Sequence, residues 1–280
     1  MATIAVIGSV NLDIVAKAEK LPAPGETVTG AMLHRFPGGK GANQALAAQR
    51  LGAEVSLIAR VGDDMAADEA VALLREGGVD LSQCIRLPGE STGTALIAVS
   101  AAGENQIVVA PGANRSLSLD GLSMPETDAA ICQLEVPVDT VAAVARAYRG
   151  FLCVNLAPAM HVDVSILQRA DLVVVNETES AWYGGSLAAC GGLVATTRGS
   201  GVATLARNGE IVAEATPPTV DAVDTTGAGD TFTAALTVAL VEGRPPEAAL
   251  GFACAAAAAA TTRMGAQPAL PYREDVISGE

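Results

Sequence analysis

Short, continuously apolar runs alternate along most of this chain with stretches of helical period, and that alternation restricts the fold more than any other feature. Runs of strand length fall at 4–7, 55–61, 95–99, 107–110, 129–134, 152–156 and 172–175. Several carry no polar alternation, as strands buried on both faces do. Apolar residues recur at helical spacing over 42–51, 65–76, 138–148, 231–242 and 246–262. Strands and helices in this order need right-handed crossovers and predict an α/β fold, a central and mostly parallel sheet with helices on both faces. The 280 residues suffice for a single such domain, 1–280, with a small accessory piece. The alanine run at 255–260 suits a helix packed closely on a neighbour.

Two regions, about 11–37 and 91–114, break the alternation with turn residues and short strand-like pieces. They predict a small β element on the main sheet, either a lid over a site or an ordinary edge hairpin.

Charge and composition exclude several functions. A formal net charge of -14, with no clustered Lys and Arg, argues against a grip on nucleic acid. An acidic chain that holds an anionic ligand must build a local positive site for it. The five cysteines, Cys84, Cys132, Cys153, Cys190 and Cys254, form no C-x-x-C pair and read as small buried hydrophobes in a reducing compartment. His34 and His161 are too few and too far apart for a histidine metal site. The weakly apolar stretch 254–260 is too short to cross a bilayer, and no basic n-region opens the chain. A cytoplasmic protein with no membrane partner is the expectation.

The segment Val223-Asp224-Thr225-Thr226-Gly227-Ala228-Gly229-Asp230-Thr231-Phe232 leads into a helix that stops at Gly243. Small residues at Gly227, Ala228 and Gly229 bare the backbone N–H groups at a helix start, where unpaired donors and the macrodipole attract anions. Asp230 at that positive end is either a helix cap or a carboxylate that takes the proton of a substrate hydroxyl.

Gly38-Gly39-Lys40-Gly41-Ala42-Asn43-Gln44 precedes another helix but fails the P-loop pattern, because Gly41 stands where Ser or Thr should hold magnesium. Open backbone, an ammonium and a carboxamide instead suit a polyhydroxylated small molecule. Asn11 and Asp13, two apart at the end of the first strand, share a face in extended chain and serve either a polyol or a strand-end turn. Asn176-Glu177-Thr178-Glu179 follows a buried strand at the end where open α/β sheets bind ligands. Glu179 there either organises magnesium or compensates a helix dipole, the role preferred for Glu177. Glu135, also after a strand, reads equally as a ligand-binding or a surface acid. The strand ending at Gly8 lacks G-x-G-x-x-G, which argues against a dinucleotide-binding dehydrogenase.

Together these segments resemble the PfkB family of carbohydrate kinases, the ribokinase-like group, from Ile4 to about Arg273. Pro24-Gly25-Glu26-Thr27, Ser91-Thr92-Gly93-Thr94 and Gly265-Ala266-Gln267-Pro268 add to the likeness and stand in the right order. The resemblance implies a ribokinase-like fold and an ATP-dependent sugar kinase. Asn11, Asp13, Gly39, Lys40, Asn43 and Glu135 would hold the sugar, with Asp230 as base and Gly227, Ala228 and Gly229 as the anion hole. Asn176, Thr197 and Gly199 would face ATP, and Glu179 would assist Mg2+. Asp224, Thr226, Ala260, Arg263 and Gly265 match a monovalent-cation site, implying activation by K+, although Ala269 replaces a common serine. The lid would close over the sugar and pair with a second subunit's lid, giving a homodimer. D-ribose, phosphorylated at its 5-hydroxyl, is the implied acceptor; another sugar or a nucleoside is the alternative, and a non-catalytic sensor on the same fold is a further one. The segment between Glu179 and Val194 is shorter than in the family, so a helix on the nucleotide side is reduced, and Cys254 falls where a histidine is familiar beside the base.

Overall fold

The continuous apolar runs become buried central strands. In a computed structural model, described over residues 1–120 and 124–277, the strands are β1 (Thr3–Ile7), β2 (Asn11–Lys17), β3 (Met32–Gly38), β4 (Glu54–Gly62), β5 (Cys84–Leu87), β6 (Gly93–Val99), β7 (Asn105–Ala110), β8 (Ala129–Cys132), β9 (Phe151–Asn155), β10 (Leu172–Asn176), β11 (Leu193–Thr197), β12 (Ala203–Arg207) and β13 (Glu210–Ala215). The helices are α1 (Lys40–Arg50), α2 (Met65–Ala70), α3 (Ala72–Glu76), α4 (Val138–Ala147), α5 (Val164–Arg169), α6 (Glu177–Tyr183), α7 (Ala228–Val241), α8 (Pro246–Ala260), α9 (Ala266–Ala269) and α10 (Arg273–Ile277).

Nine strands form one sheet in the order β13-β12-β11-β10-β9-β8-β1-β4-β5. It is parallel from β5 through β11 and antiparallel at β12 and β13. Alternate side chains feed two apolar layers. Ile4, Val6 and Leu57 pack with Leu46 of α1, Leu236 of α7 and Leu250 of α8 on one face, and Ile7, Leu152 and Val173 pack with Val144 of α4 and Ile166 of α5 on the other. Each fully buried Leu or Ile contributes about 1.5–3 kcal/mol. Alanines of α8 pack against α7, as the run at 255–260 predicts.

The stretch 65–76, read as one helix, is two: Val71 at φ -101°, ψ 1° leaves helical geometry between α2 and α3. More important for the site, α7 begins at Ala228 rather than near 231, so Asp230 sits within its first turn.

The two irregular regions meet in a second sheet ordered β3-β2-β6-β7. Its base is fastened to the main body. The Asp64 carboxylate accepts from Thr92 N (2.8 Å) and Thr92 Oγ1 (2.6 Å), and Asn114 closes on the β1–β2 connection by accepting from Val10 N (2.9 Å) and donating to Val10 O (3.2 Å). Its outer edge, β7, is exposed along its whole length.

At the carboxyl end of β1 the start of α1 comes unusually close. A Cβ on Gly8 would lie 2.7 Å from Gly41 Cα and 2.0 Å from Gln133 Oε1, so only glycine fits. That approach sets the first turns of α1 over the ends of β1, β8 and β9.

Candidate active site

The predicted residues converge where the carboxyl ends of the parallel strands, the start of α7 and the small second sheet meet, the region where open α/β sheets bind ligands. Gly227 caps α7 in a left-handed conformation, φ 83°, and nothing lies within 4 Å of where a Cβ on Gly229 would stand. The Ala228 N–H is taken up by Thr225 O at 3.2 Å, which leaves the first-turn N–H groups of Gly229 and Asp230 to serve an anion.

Asp230 is buried, and both of its oxygens are engaged. Oδ2 accepts from Asn43 Nδ2 and Oδ1 from Gln44 Nε2, each at 2.9 Å. Burial pushes its carboxyl up, while Lys40 and the two amides oppose that shift. Lys40 lines the same cleft of about 250 Å³ as Asp230 and Glu179. Burial works against its charge, but Asp230, Glu135, Glu179 and Asp13 outweigh it and hold its ammonium above the ordinary range. Asn43 Oδ1 is buried without a partner, an acceptor aligned with no protein donor.

Asp13 projects from β2, with both carboxylate oxygens where a Cβ on Gly38 would fall. Burial first, then Glu135 and Asp230, push it up to about 7, against the opposing pull of Lys40. Asn11, beside it in sequence, has its Oδ1 held by Asn114 Nδ2 at 2.7 Å, leaving its own Nδ2 for a ligand. Gly39 is the N-cap of α1, and Glu135 accepts from Ser9 Oγ (2.6 Å) and from Lys40 N (3.1 Å). Asn11, Asp13, Gly39, Lys40, Asn43, Glu135 and Asp230 are thus assembled on one side of the α7 start. Sequence reasoning missed Gln44, Asn114, Gln133 and Asn155, which hold these residues in place. Gln44 lay in plain view inside the glycine-lysine motif.

On the other side the furnishing is sparse. Asn176 and Glu179 form a reciprocal capping box at the start of α6: Asn176 Oδ1 accepts from Glu179 N and Glu179 Oε2 from Asn176 N, each at 2.8 Å. The capping and site readings of Glu179 therefore hold together, since it also lines the cleft. Burial pushes its carboxyl up despite the Asn176 hydrogen bond and Lys40. Its second oxygen has no hydrogen bond among the described residues, which fits a hard-cation ligand beside bound phosphates. Thr197 ends β11 opposite Asn176 and borders both this cleft and an apolar slot of about 100 Å³, where Gly199, Phe232 and Cys254 meet. As the short segment predicts, α6 is followed only by a 3-10 turn, Gly184–Ala189.

Asp224 ties the loop before α7 to the loop after α8. Its carboxylate accepts from Thr226 N (2.9 Å), Thr226 Oγ1 (2.6 Å) and Gly265 N (2.9 Å), and Val223 N and Asp224 N donate to Thr261 O. Burial raises its carboxyl, but these hydrogen bonds outweigh burial and hold it low. Ala260 and Arg263 flank Thr261, so the predicted cation residues lie on two adjoining turns, and Ala269 adds no oxygen there beyond its backbone. No group of three or more His, Cys, Asp or Glu side chains able to hold a metal occurs among the described residues. A larger cavity of about 370 Å³, beside Arg75 and Arg86 near β5, contains none of the residues named for the site.

Residues 1–273 match the model of the pfkB family carbohydrate kinases. A ribokinase of Bacillus subtilis (strain 168) is 38% identical over 291 residues, covering 99% of this chain and 98% of that protein. Among solved structures, ribokinase from Thermotoga maritima superposes with a TM-score of 0.88 at 33% identity, covering 99% of both chains. Arabidopsis thaliana ribokinase complexed with ribose and ATP superposes with a TM-score of 0.89 at 30% identity, covering 99% of this chain and 98% of that one.

Proposed function

The chain belongs to the pfkB family of carbohydrate kinases, and from that premise we propose that it transfers the γ-phosphoryl group of ATP to the 5-hydroxyl of D-ribose. The observation that carries this reading is the pairing of a buried carboxylate, Asp230, with open backbone donors one residue away at the start of α7. A base for the hydroxyl and a cradle for the phosphoryl group then stand side by side. The membership itself makes the chain an ATP-dependent carbohydrate or nucleoside kinase; the choice of ribose rests on the acceptor-side residues and on the ribokinase relatives.

In this reading Asp13, Asn11 Nδ2 and the unpartnered Asn43 Oδ1 hydrogen-bond the sugar hydroxyls. A buried acceptor left unpaired costs about 1–3 kcal/mol, which sugar binding recovers. Glu135 steadies the Lys40 backbone and Ser9 beneath the sugar. The 5-hydroxyl oxygen attacks the γ-phosphorus and its proton passes to Asp230 as the bond to the ADP oxygen breaks. The transition state is loose, so a weak base held in place suffices. Lys40 and the N–H groups of Gly229 and Asp230 face the charge that develops on the transferring group. Glu179 would hold Mg2+ or its waters, and the ion would supply countercharge to the nucleotide phosphates. A monovalent cation would sit at the Asp224 turns and stiffen the start of α7.

The lid also offers an assembly surface: Leu96, Ile107, Val108 and Val109 expose apolar side chains on β6 and β7. A second copy pairing there gives the homodimer. Among the described residues no helix is long and apolar enough to cross a membrane.

The test is an ADP-release assay across D-ribose, 2-deoxyribose, hexoses and nucleosides, with and without K+, read with light scattering for subunit number. D-ribose should give the highest kcat/KM, with phosphorus NMR placing the phosphate on the 5-oxygen. A nucleoside or hexose turned over better than ribose would overturn the acceptor assignment.

A further inference from the structure

Two amides hold Asp230, and they are held very differently. Asn43 donates to Oδ2, and its other end has no protein partner. Only the Asp230 carboxylate itself dictates which way that amide turns. Gln44, wholly buried, donates to Oδ1, and its other end is locked. Its Oε1 accepts from Gln133 Nε2 at 2.6 Å, and its Nε2 also donates to Asn155 Oδ1 at 3.1 Å. Asn155 in turn donates through Nδ2 to the Val174 carbonyl of β10 at 3.2 Å. A backbone carbonyl only accepts, so Asn155 must present its Nδ2 to it and its oxygen to Gln44. That oxygen, with Gln133 on the opposite end, requires Gln44 to present Nε2. The orientation therefore originates in the main chain of the sheet and reaches Asp230 whatever its state of protonation.

We propose that Gln44 is a positioning residue for Asp230, permanently occupying Oδ1 so that Oδ2 alone receives the proton of the acceptor hydroxyl. The inference rests on the reading of Asp230 as base. Gln44 is wholly buried with its amide engaged by Asp230, Asn155 and Gln133, so its action on turnover passes through Asp230. The close crossing of Gly8 and Gly41 is what brings its side chain over Gln133 and Asn155. Besides Asn43 and Gln44, the groups acting on the Asp230 charge are Lys40, which favours the ionised form, and Glu135, Asp13 and Glu179, which oppose it. Removing the Gln44 donor leaves Asp230 freer to rotate and easier to protonate.

Steady-state kinetics from pH 5 to 9 on Gln44→Leu, Gln44→Met, Gln133→Leu and the Gln44→Leu/Gln133→Leu pair test this, with melting temperature as the control for folding. For the Gln44 variants kcat should fall about thirtyfold to a hundredfold, with sugar KM within about threefold. The acid limb of the kcat profile should move up by about one pH unit. Gln133→Leu should shift both in the same direction but less, and the pair should be no worse than Gln44→Leu alone. A folded Gln44 variant with unchanged kcat and acid limb, or a loss confined to sugar KM, would overturn the proposal. Asp230→Asn separates the two levels. If it keeps turning over, the base reading itself fails; if it is inactive while Gln44→Leu and Gln44→Met behave as wild type, only the positioning role fails.

Discussion

The proposed acceptor half of the cleft and the proposed nucleotide half are built by different means. On the acceptor side, buried side chains are held by partners far along the chain: Asn11 by Asn114, 103 residues away, and Asp230 by Gln44, 186 residues away. On the nucleotide side, Asn176 is exposed and held by a residue three positions on, and the slot beyond Thr197 is lined mainly by small or apolar groups. The first half obtains its shape from tertiary packing and tolerates little change; the second relies on local backbone and helix ends. Acceptor choice should therefore be strict and easily damaged, and donor choice more forgiving.

The sharpest way to break that contrast is Asp230→Asn. It should lower kcat by about a thousandfold or more while leaving ribose affinity, measured by calorimetry, within severalfold. Next comes Asp13, whose carboxyl lies near 7 when folded against an ordinary 3.8. The folded chain thus holds that proton more tightly than the unfolded chain. In the absence of sugar its contribution to stability is full at acid pH and is lost as pH rises from about 4 to 7. In the proposed complex the ionised Asp13 accepts from the sugar hydroxyls, so sugar KM should improve as pH rises through the same upper limit. Asp13→Asn should flatten both dependences, raise the melting temperature at pH 8 and weaken sugar binding by about tenfold to a hundredfold. Asn114→Ala leaves Val10 and Asn11 unpaired in a buried position. Urea unfolding should show a loss of about 2–3 kcal/mol, and sugar KM should rise more than ATP KM. Smallest is Asn176→Ala, which removes a cap worth about 1 kcal/mol and should change ATP KM by less than about fivefold. A fall in ATP affinity as large as the Asp13 effect would erase the distinction between the halves.

The sequence reveals the middle of the sheet well, because strands buried on both faces must be apolar throughout, as in Val173–Val175. It reveals the edge poorly. The β12–β13 hairpin carries a plain signal in Asn208-Gly209, whose φ values of 51° and 81° are those a two-residue turn demands, yet its half-exposed strands lack a strong apolar pattern. The start of α7 was displaced for a related reason: Ala228 and Gly229 add little to a hydrophobic period, so the pattern declares itself only at 231. Within the site, residues that could be recognised were those whose local motif has a chemistry of its own, such as Lys40 or Asp230. Gln44, Gln133 and Asn155 are neutral amides on three separate segments, and their meaning exists only once the crossovers bring them together.

Asp230 and the Gly229 N–H belong to one turn of one helix, and the amides behind Asp230, Gln44, Gln133 and Asn155, are buried away from the rim. Change at the periphery is thereby uncoupled from the transfer step. Loops of the small sheet can lengthen, the stretch at 180–193 can shrink, and the slot around Cys254 can be relined, all without disturbing the register between the proposed base and its cradle. A lineage built on this turn is free to explore new acceptors and donors by insertion, deletion and drift at the rim, because the part that must not move, the turn at Gly229 and Asp230 with the buried amides behind it, lies elsewhere.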